Sequence, residues 1–137
     1  MLPYSTSNYN LTFTAKGDRF RTMFRYASST GYYFLEFKNA KFLELWKYPN
    51  SSVNEQVGTM VDIGAVLPGF NLTDWHQYQI EVNGSVYKLT IDGTLVATFT
   101  DTSLTAGGIG FSLKSVGTPV SMNVKNVAVK PIVNLLP

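Results

Sequence analysis

Apolar and polar residues alternate along most of the chain in short runs, each closed by Gly, Asn, Asp or Ser. A period of two puts successive side chains on opposite faces of a strand, and no 3.6-residue period lasts long enough to make a helix. The pattern predicts ten strands, near 9–16, 20–27, 32–38, 42–48, 57–63, 76–82, 86–92, 95–100, 108–115 and 120–129. Asn83-Gly84 between two alternating runs predicts a two-residue hairpin of type I′, the turn that needs positive φ at both corners. Asp92-Gly93 predicts the next reversal, and the segments 28–31 and 39–41 join the earlier strands into a meander. Two longer connections, 49–56 and 64–74, carry Pro49, Pro68 and Gly69 and read as rim loops.

Ten short strands in one sheet would leave a broad apolar face in water, so the expected fold is all-β, a two-sheet antiparallel sandwich of jelly-roll type. Alternation then sorts the side chains. In 20–27, Phe20, Thr22, Phe24 and Tyr26 share a face read as core, and Arg21, Met23 and Arg25 share the other. Folding about 28–31 pairs Tyr26 with Tyr33 and Phe24 with Leu35. The core expected between the sheets includes Phe24, Leu35, Leu45, Ile80, Leu89, Ile91 and Phe111.

The face left over is unusual for a solvent face. It gathers Tyr32, Phe34, Phe42, Trp46 and Tyr48 beside Arg25, Glu36 and Glu44. A three-residue turn at 39–41 sets Glu36 directly across from Glu44, with Cβ atoms about 5 Å apart and Arg25 on the diagonal. Opposed like charges destabilise a sheet unless something compensates, whether Arg25, a metal ion or the hydroxyls of a ligand. Rings interspersed with charges suit a sugar, whose C–H faces stack on aromatics while its hydroxyls need donors and acceptors. Arg25, Glu36 and Glu44 are thus the candidate polar grip, Trp46 the stacking platform, and Tyr32 and Tyr48 its neighbours. A plain salt network, or a face covered by another domain or by the long loops, accounts for the same residues and stays open.

Composition narrows the classes further. The 137 residues suit one domain, residues 1–137, and 45% hydrophobic with 15% charged residues excludes disorder. The net charge of +2 comes without any run of like charge, so nucleic acid is not an expected partner. No run reaches the roughly 18 apolar residues of a membrane span, so no membrane insertion is expected. Met1 stands directly before Leu-Pro-Tyr without a basic start and apolar core, which leads to the expectation of a module excised from a larger multidomain protein. The absence of Cys excludes disulfides and thiolate chemistry. The one His, His76, leaves little for a triad or a zinc site, and its register with Tyr78 and Ile80 suits packing at a sandwich edge. Asn-x-Ser/Thr triplets at Asn10, Asn50, Asn71 and Asn83 point weakly to an extracellular or cell-surface location.

Several stretches carry a family resemblance: Phe24-Arg25-Tyr26, Gly31-Tyr32-Tyr33-Phe34-Leu35-Glu36 and Leu43-Glu44-Leu45-Trp46-Lys47, then 75–84 opening on Trp75-His76, Leu89-Thr90-Ile91-Asp92-Gly93, Gly108-Ile109-Gly110-Phe111 and Val124-Lys125-Asn126-Val127. In that order they resemble the concanavalin A-like lectin/glucanase superfamily, in its laminin G-like and glycosidase-appended modules. The resemblance implies two stacked sheets with sugar held on the concave one or at its rim, and a packing role for Trp75. Lys125 departs from it, standing where related modules often carry Asp. The glucanases of the superfamily align acids in a Glu-x-Asp-x-x-Glu run, and no such run occurs here. Related modules sometimes hold structural calcium on turn acids; Asp18, Asp62, Asp74, Asp92 and Asp101 lie in or near turns without a diagnostic calcium spacing, so no cofactor is called and the metal question stays open.

The leading expectation is a non-catalytic carbohydrate-binding module that holds a polysaccharide or oligosaccharide for an attached glycoside hydrolase or surface protein. A structural or adhesive domain of an extracellular surface or fibre protein is the alternative, and a glycan-cleaving domain a third reading disfavoured by the missing acid run.

Overall fold

The structure, a computed structural model, describes residues 7–28, 30–48, 53–113, 117 and 119–132. Ten strands run in chain order: β1 (Tyr9–Gly17), β2 (Phe20–Ala27), β3 (Gly31–Lys38), β4 (Phe42–Tyr48), β5 (Glu55–Asp62), β6 (His76–Asn83), β7 (Val86–Ile91), β8 (Thr94–Thr100), β9 (Gly108–Ser112) and β10 (Met122–Pro131). They form two five-stranded antiparallel sheets, ordered β10-β1-β6-β7-β8 and β5-β4-β3-β2-β9. The two-sheet sandwich is the architecture the alternation predicts, because each sheet has one apolar face that only the other sheet can cover.

The core lies between them. Phe24, Leu35, Leu45, Ile80, Leu89 and Ile91 are all buried, together with Tyr9, Leu11, Phe13, Tyr33 and Tyr78. Burying each such side chain contributes about 1.5–3 kcal/mol. Phe111 departs from the expectation: it is only partly buried, since β9 is an edge strand, and its ring meets Phe13 edge-on at 5.1 Å.

Two turns are built differently from their sequence signals. Asn83 stays in β6, paired with Val86, and Gly84 at φ +61 takes the first corner. Positive φ at the first corner alone is the demand of a type II′ turn, so the hairpin forms one residue later than expected. Between β7 and β8 both corners, Asp92 at φ 50 and Gly93 at φ 85, are left-handed, so this second turn carries the type I′ signature.

The segment after β5 is more than a rim loop. A single helical turn, α1 (Ile63–Val66), starts it, and Ile63, Phe70 and Leu72 plug one end of the sandwich. Backbone bonds fasten it on two sides, Leu72 N–H to the Ala40 carbonyl at 2.8 Å and Gly17 N–H to the Leu72 carbonyl at 3.0 Å. Of the other long connection, residues 49–52 lie outside the described residues. No helix among the described residues is long and apolar enough to cross a membrane.

One irregularity governs the candidate site. β2 pairs with β3 from Phe20 opposite Phe37 to Phe24 opposite Tyr33, then skips to Ala27 opposite Gly31. A β-bulge sits between, with Arg25 at φ 49. Phe24 therefore faces Tyr33 rather than Leu35, and the parity of the strand reverses past the bulge. Arg25, read from alternation as an outer-face residue, turns inward and is 2% exposed, while Tyr26, read as core, turns outward and is 45% exposed.

Candidate functional site

The outer face of the β5-β4-β3-β2-β9 sheet is laid out in cross-strand rows. At one end Tyr26, Tyr32 and Tyr48 stand side by side, with ring centroids 5.1 and 5.4 Å apart. The next row is Met23, Phe34, Trp46 and Gln56, and the one after it Ser112, Arg21, Glu36 and Glu44. Lys38, Phe42 and Asp62 close the series. Rows are about 6.6 Å apart, twice the rise per residue of a strand.

Phe34 forms the floor. It lies outside the core cluster, on the sheet's far side, yet is 1% exposed. Its cover is local: the Arg21 guanidinium sits 4.2 Å above its ring, and Trp46 stacks nearly parallel at 6.4 Å. A cation over an aromatic face at this separation is a favourable electrostatic contact.

Glu36 and Glu44 stand directly opposite each other, as the three-residue turn requires, and both are buried. Their repulsion is met by three cations. Arg21 Nε donates to Glu36 Oε1 at 2.8 Å and Arg19 Nη2 to Oε2 at 3.0 Å. Lys38 Nζ donates to Glu44 Oε1, and the Trp46 indole N–H reaches the same oxygen at 3.3 Å. Burial alone would raise the Glu44 carboxyl, but the Lys38 and Trp46 donors, with the charges of Lys38 and Arg19, outweigh it and hold it below its ordinary value. The result is a fixed lattice of donors and acceptors on a dry aromatic floor. Only Nε of the Arg21 guanidinium is engaged with Glu36, while the group as a whole lies over the Phe34 ring.

Five of the six candidate residues that sequence brought together lie on this face, Glu36, Glu44 and Trp46 in adjoining rows and Tyr32 with Tyr48 in the tyrosine row. Arg25 does not. Its guanidinium fills the end of the sandwich, donating to the carbonyls of Ser7, Gly84 and Leu104 at 2.9, 2.6 and 3.0 Å and to the Tyr87 hydroxyl at 2.7 Å. Its backbone N–H donates to the Tyr9 hydroxyl at 2.8 Å. Burial, against that bond, pushes the Tyr9 phenol up to about 12. Arg21, four residues earlier, stands directly opposite Glu36, beside which the regular register had put Arg25 on the diagonal. Arg21 and Lys38 had the right parity in the sequence; Arg19, before β2, carried no signal beyond its charge.

Other singled-out residues lie away from this face. Trp75 is 42% exposed rather than packed inside, with the ammonium groups of Lys125 and Lys16 at 4.3 and 5.0 Å from its ring. Lys125, the departure from the family pattern, thus lies over that indole. His76 sits at the sandwich edge as expected, stacked on Phe70 at 4.3 Å and held between Asp92 Oδ2 at 2.6 Å and the Asn71 carbonyl at 2.9 Å. The turn acids are engaged locally: Asp18 caps the Ser121 N–H, and Asp101 accepts from Tyr33, Lys47 and Ser103. Among the described residues no three His, Asp or Glu side chains converge as a metal site.

No protein-family model matches the chain, and no curated protein matches it in sequence. Solved structures do match in fold. The carbohydrate-binding module CBM66 from Bacillus subtilis superposes with a TM-score of 0.72 at 14% identity, covering 90% of this chain and 75% of that one. A tetrameric galectin from the ball sponge Cinachyrella sp. gives 0.66 at 9% identity, over 93% of this chain and 94% of its own. Sheep galectin-11, in complex with glycerol, gives 0.60 at 10% identity, over 95% of this chain and 100% of its own. At such identities the likeness is one of fold: the chain shares the two-sheet antiparallel jelly roll of those structures.

Proposed function

We propose that this protein is a non-catalytic carbohydrate-binding module that holds an oligosaccharide or polysaccharide on the outer face of the β5-β4-β3-β2-β9 sheet. The observation that carries the reading is the pair of buried, opposed carboxylates, Glu36 and Glu44, clamped by Arg19, Arg21 and Lys38 beside the Trp46 ring. A sheet has no need of such a lattice on its outer side, whereas sugar hydroxyls need donors and acceptors fixed next to a stacking surface. That solved jelly rolls of similar fold include a carbohydrate-binding module and galectins supports the same reading.

The carboxylates serve as acceptors here, not as an acid and base. The cations beside Glu44 hold its carboxyl below its ordinary value, and each Glu36 oxygen accepts from an arginine, an arrangement that suits a pair of acceptors. Binding works by mass action: even millimolar to micromolar affinity, about −4 to −8 kcal/mol, concentrates an attached domain on a polymer. Tethering to a glycoside hydrolase or a surface protein, and an extracellular or cell-surface location, belong to this proposal.

The test is a glycan array followed by calorimetric titration of the best binder. Binding should be found and should weaken at least tenfold in Arg21→Ala. An array without any binder, from protein shown to be folded, would overturn the reading and favour the adhesive alternative.

A further inference from the structure

The β2 bulge has an effect on the sugar face. By reversing the strand's parity it places Tyr26 on the outer side, stacked on Tyr32 at 5.1 Å and 25°, where regular alternation would have buried it. Tyr26 also walls a cleft of about 620 Å³ at the sandwich end, lined further by Ala27, Thr30, Leu104, Thr105 and Gly107. The tyrosine row thus runs from Tyr48 across Tyr32 and Tyr26 to the lip of this cleft.

The bulge is heavily fastened. Tyr9, Tyr87 and three backbone carbonyls hold Arg25 at its apex. On the other side Gly107, at φ +145, packs so closely that a Cβ there would lie 2.4 Å from the Tyr26 carbonyl oxygen and 2.5 Å from the Arg25 carbonyl carbon. A left-handed arginine is a costly conformation that persists only where its surroundings over-determine it. Its product is the outward Tyr26 beside an open cleft.

We propose that Tyr26 and this cleft form a second subsite of the sugar face, so that the ligand is a chain of several sugar units lying along the face instead of a single terminal residue. The inference rests on the sugar-binding reading of the face. Glu36 and Tyr32 are four residues apart on β3, about 13 Å, and the cleft lies beyond Tyr26. A single sugar ring covers about one row interval of the sheet, so one unit gripped at Glu36, Glu44 and Trp46 cannot reach the cleft, whereas a chain of three or more can. Thr30 and Thr105 offer hydroxyls at the cleft, and Tyr26 and Ala106 offer apolar surface, the mixture a further sugar unit needs.

The probes are length series, from mono- to hexasaccharide, of linear gluco-, fructo-, xylo- and galacto-oligosaccharides, titrated by calorimetry into the full chain. In the series that binds, affinity should rise at least tenfold between the shortest binder and the tetrasaccharide. Tyr26→Ala should remove that gain and leave the affinity for the shortest binder within twofold. Thr105→Trp, which fills the cleft from an exposed position, should do the same, with thermal melting showing that both variants fold. Affinity independent of length, a length gain that survives both variants, or an equal loss at every length would overturn the subsite while leaving the sugar face standing. If no series binds, the subsite falls together with the reading beneath it.

Discussion

The two sheets turn quite different sides to the outside. On β1, β6 and β7 the outward positions include Asn10, Thr12, Thr14, Lys16, Gln77, Gln79, Glu81, Lys88 and Thr90, a polar surface whose contacts include the Gln79 to Asn10 bond of 3.3 Å, the Lys16 ammonium over Trp75 and the Glu81–Lys88 register pair. On β2, β3 and β4 the outward positions are Tyr26, Tyr32, Phe34, Glu36, Glu44 and Trp46, with Phe34, Glu36 and Glu44 buried by their own neighbours. Water satisfies the first surface without help. The second has built a miniature interior on the outside of a sheet, and its cost in desolvated charge makes sense if a ligand uses it.

The sharpest way to break that contrast is at the bulge, which decides what the second face contains. Arg25→Met should destabilise the protein by about 3 kcal/mol or more, since it leaves several buried carbonyls and hydroxyls without their donor. Chemical denaturation measures it; a loss below about 1 kcal/mol would mean that the bulge holds without its arginine. Trp46→Ala comes next, and acts on binding in place of stability. It should lower sugar affinity at least tenfold, about 1.4 kcal/mol, and change the melting temperature little, because Trp46 is only partly buried and sits outside the core cluster. A sharp drop in melting temperature with unchanged affinity would mean that the rings serve packing.

How far the sequence foretold this depends on where alternation holds. The ten strands, the two-sheet sandwich and the Glu36 to Glu44 opposition follow from a period of two and a three-residue turn, and all are present. Alternation fails wherever an extra residue enters a strand, and β2 shows it: Tyr26 looked apolar enough for the core and Arg25 charged enough for solvent, yet each lies on the other side. Two hints were in the chain, an arginine framed by aromatics and a glycine pair at 107–108, but neither has meaning until Gly107 is known to abut Arg25. The end plug of Ile63, Phe70 and Leu72 escaped for a related reason, since an irregular segment has no period to read.

A smaller effect should appear with pH. Asp101 resembles Glu44: burial would raise its carboxyl, but donors from Tyr33, Ser103 and Lys47 hold it below its ordinary value. A carboxyl lower in the folded chain than in the unfolded one contributes stability above the unfolded value, and that contribution fades as pH falls through the folded one. Stability should therefore be level between about pH 5.5 and about pH 9, below the range in which unfolded tyrosines ionise, and decline through the acid range below the ordinary carboxyl values. In Glu44→Gln the decline should be shallower. Identical slopes in the variant and the parent chain would show that Glu44 is not held by its cations in solution.

The smallest effect is the control that gives the comparison its meaning. Gln79 lies on the outer side of the first sheet, in a strand as central as β3, and its side chain makes one long bond to Asn10. Gln79→Ala removes that bond and uncovers nothing in the core, whose residues on β6 are Tyr78, Ile80 and Val82. Surface substitutions of this kind change stability by no more than about 0.5 kcal/mol. Sugar affinity should be unchanged within twofold, since the sandwich separates Gln79 from Trp46 and the Gln79 side-chain bond runs to Asn10 on its own sheet. If Gln79→Ala weakened binding as Trp46→Ala is expected to, the ligand would be gripping both sheets or the wrong one, and the difference between the faces would have to be explained by packing alone.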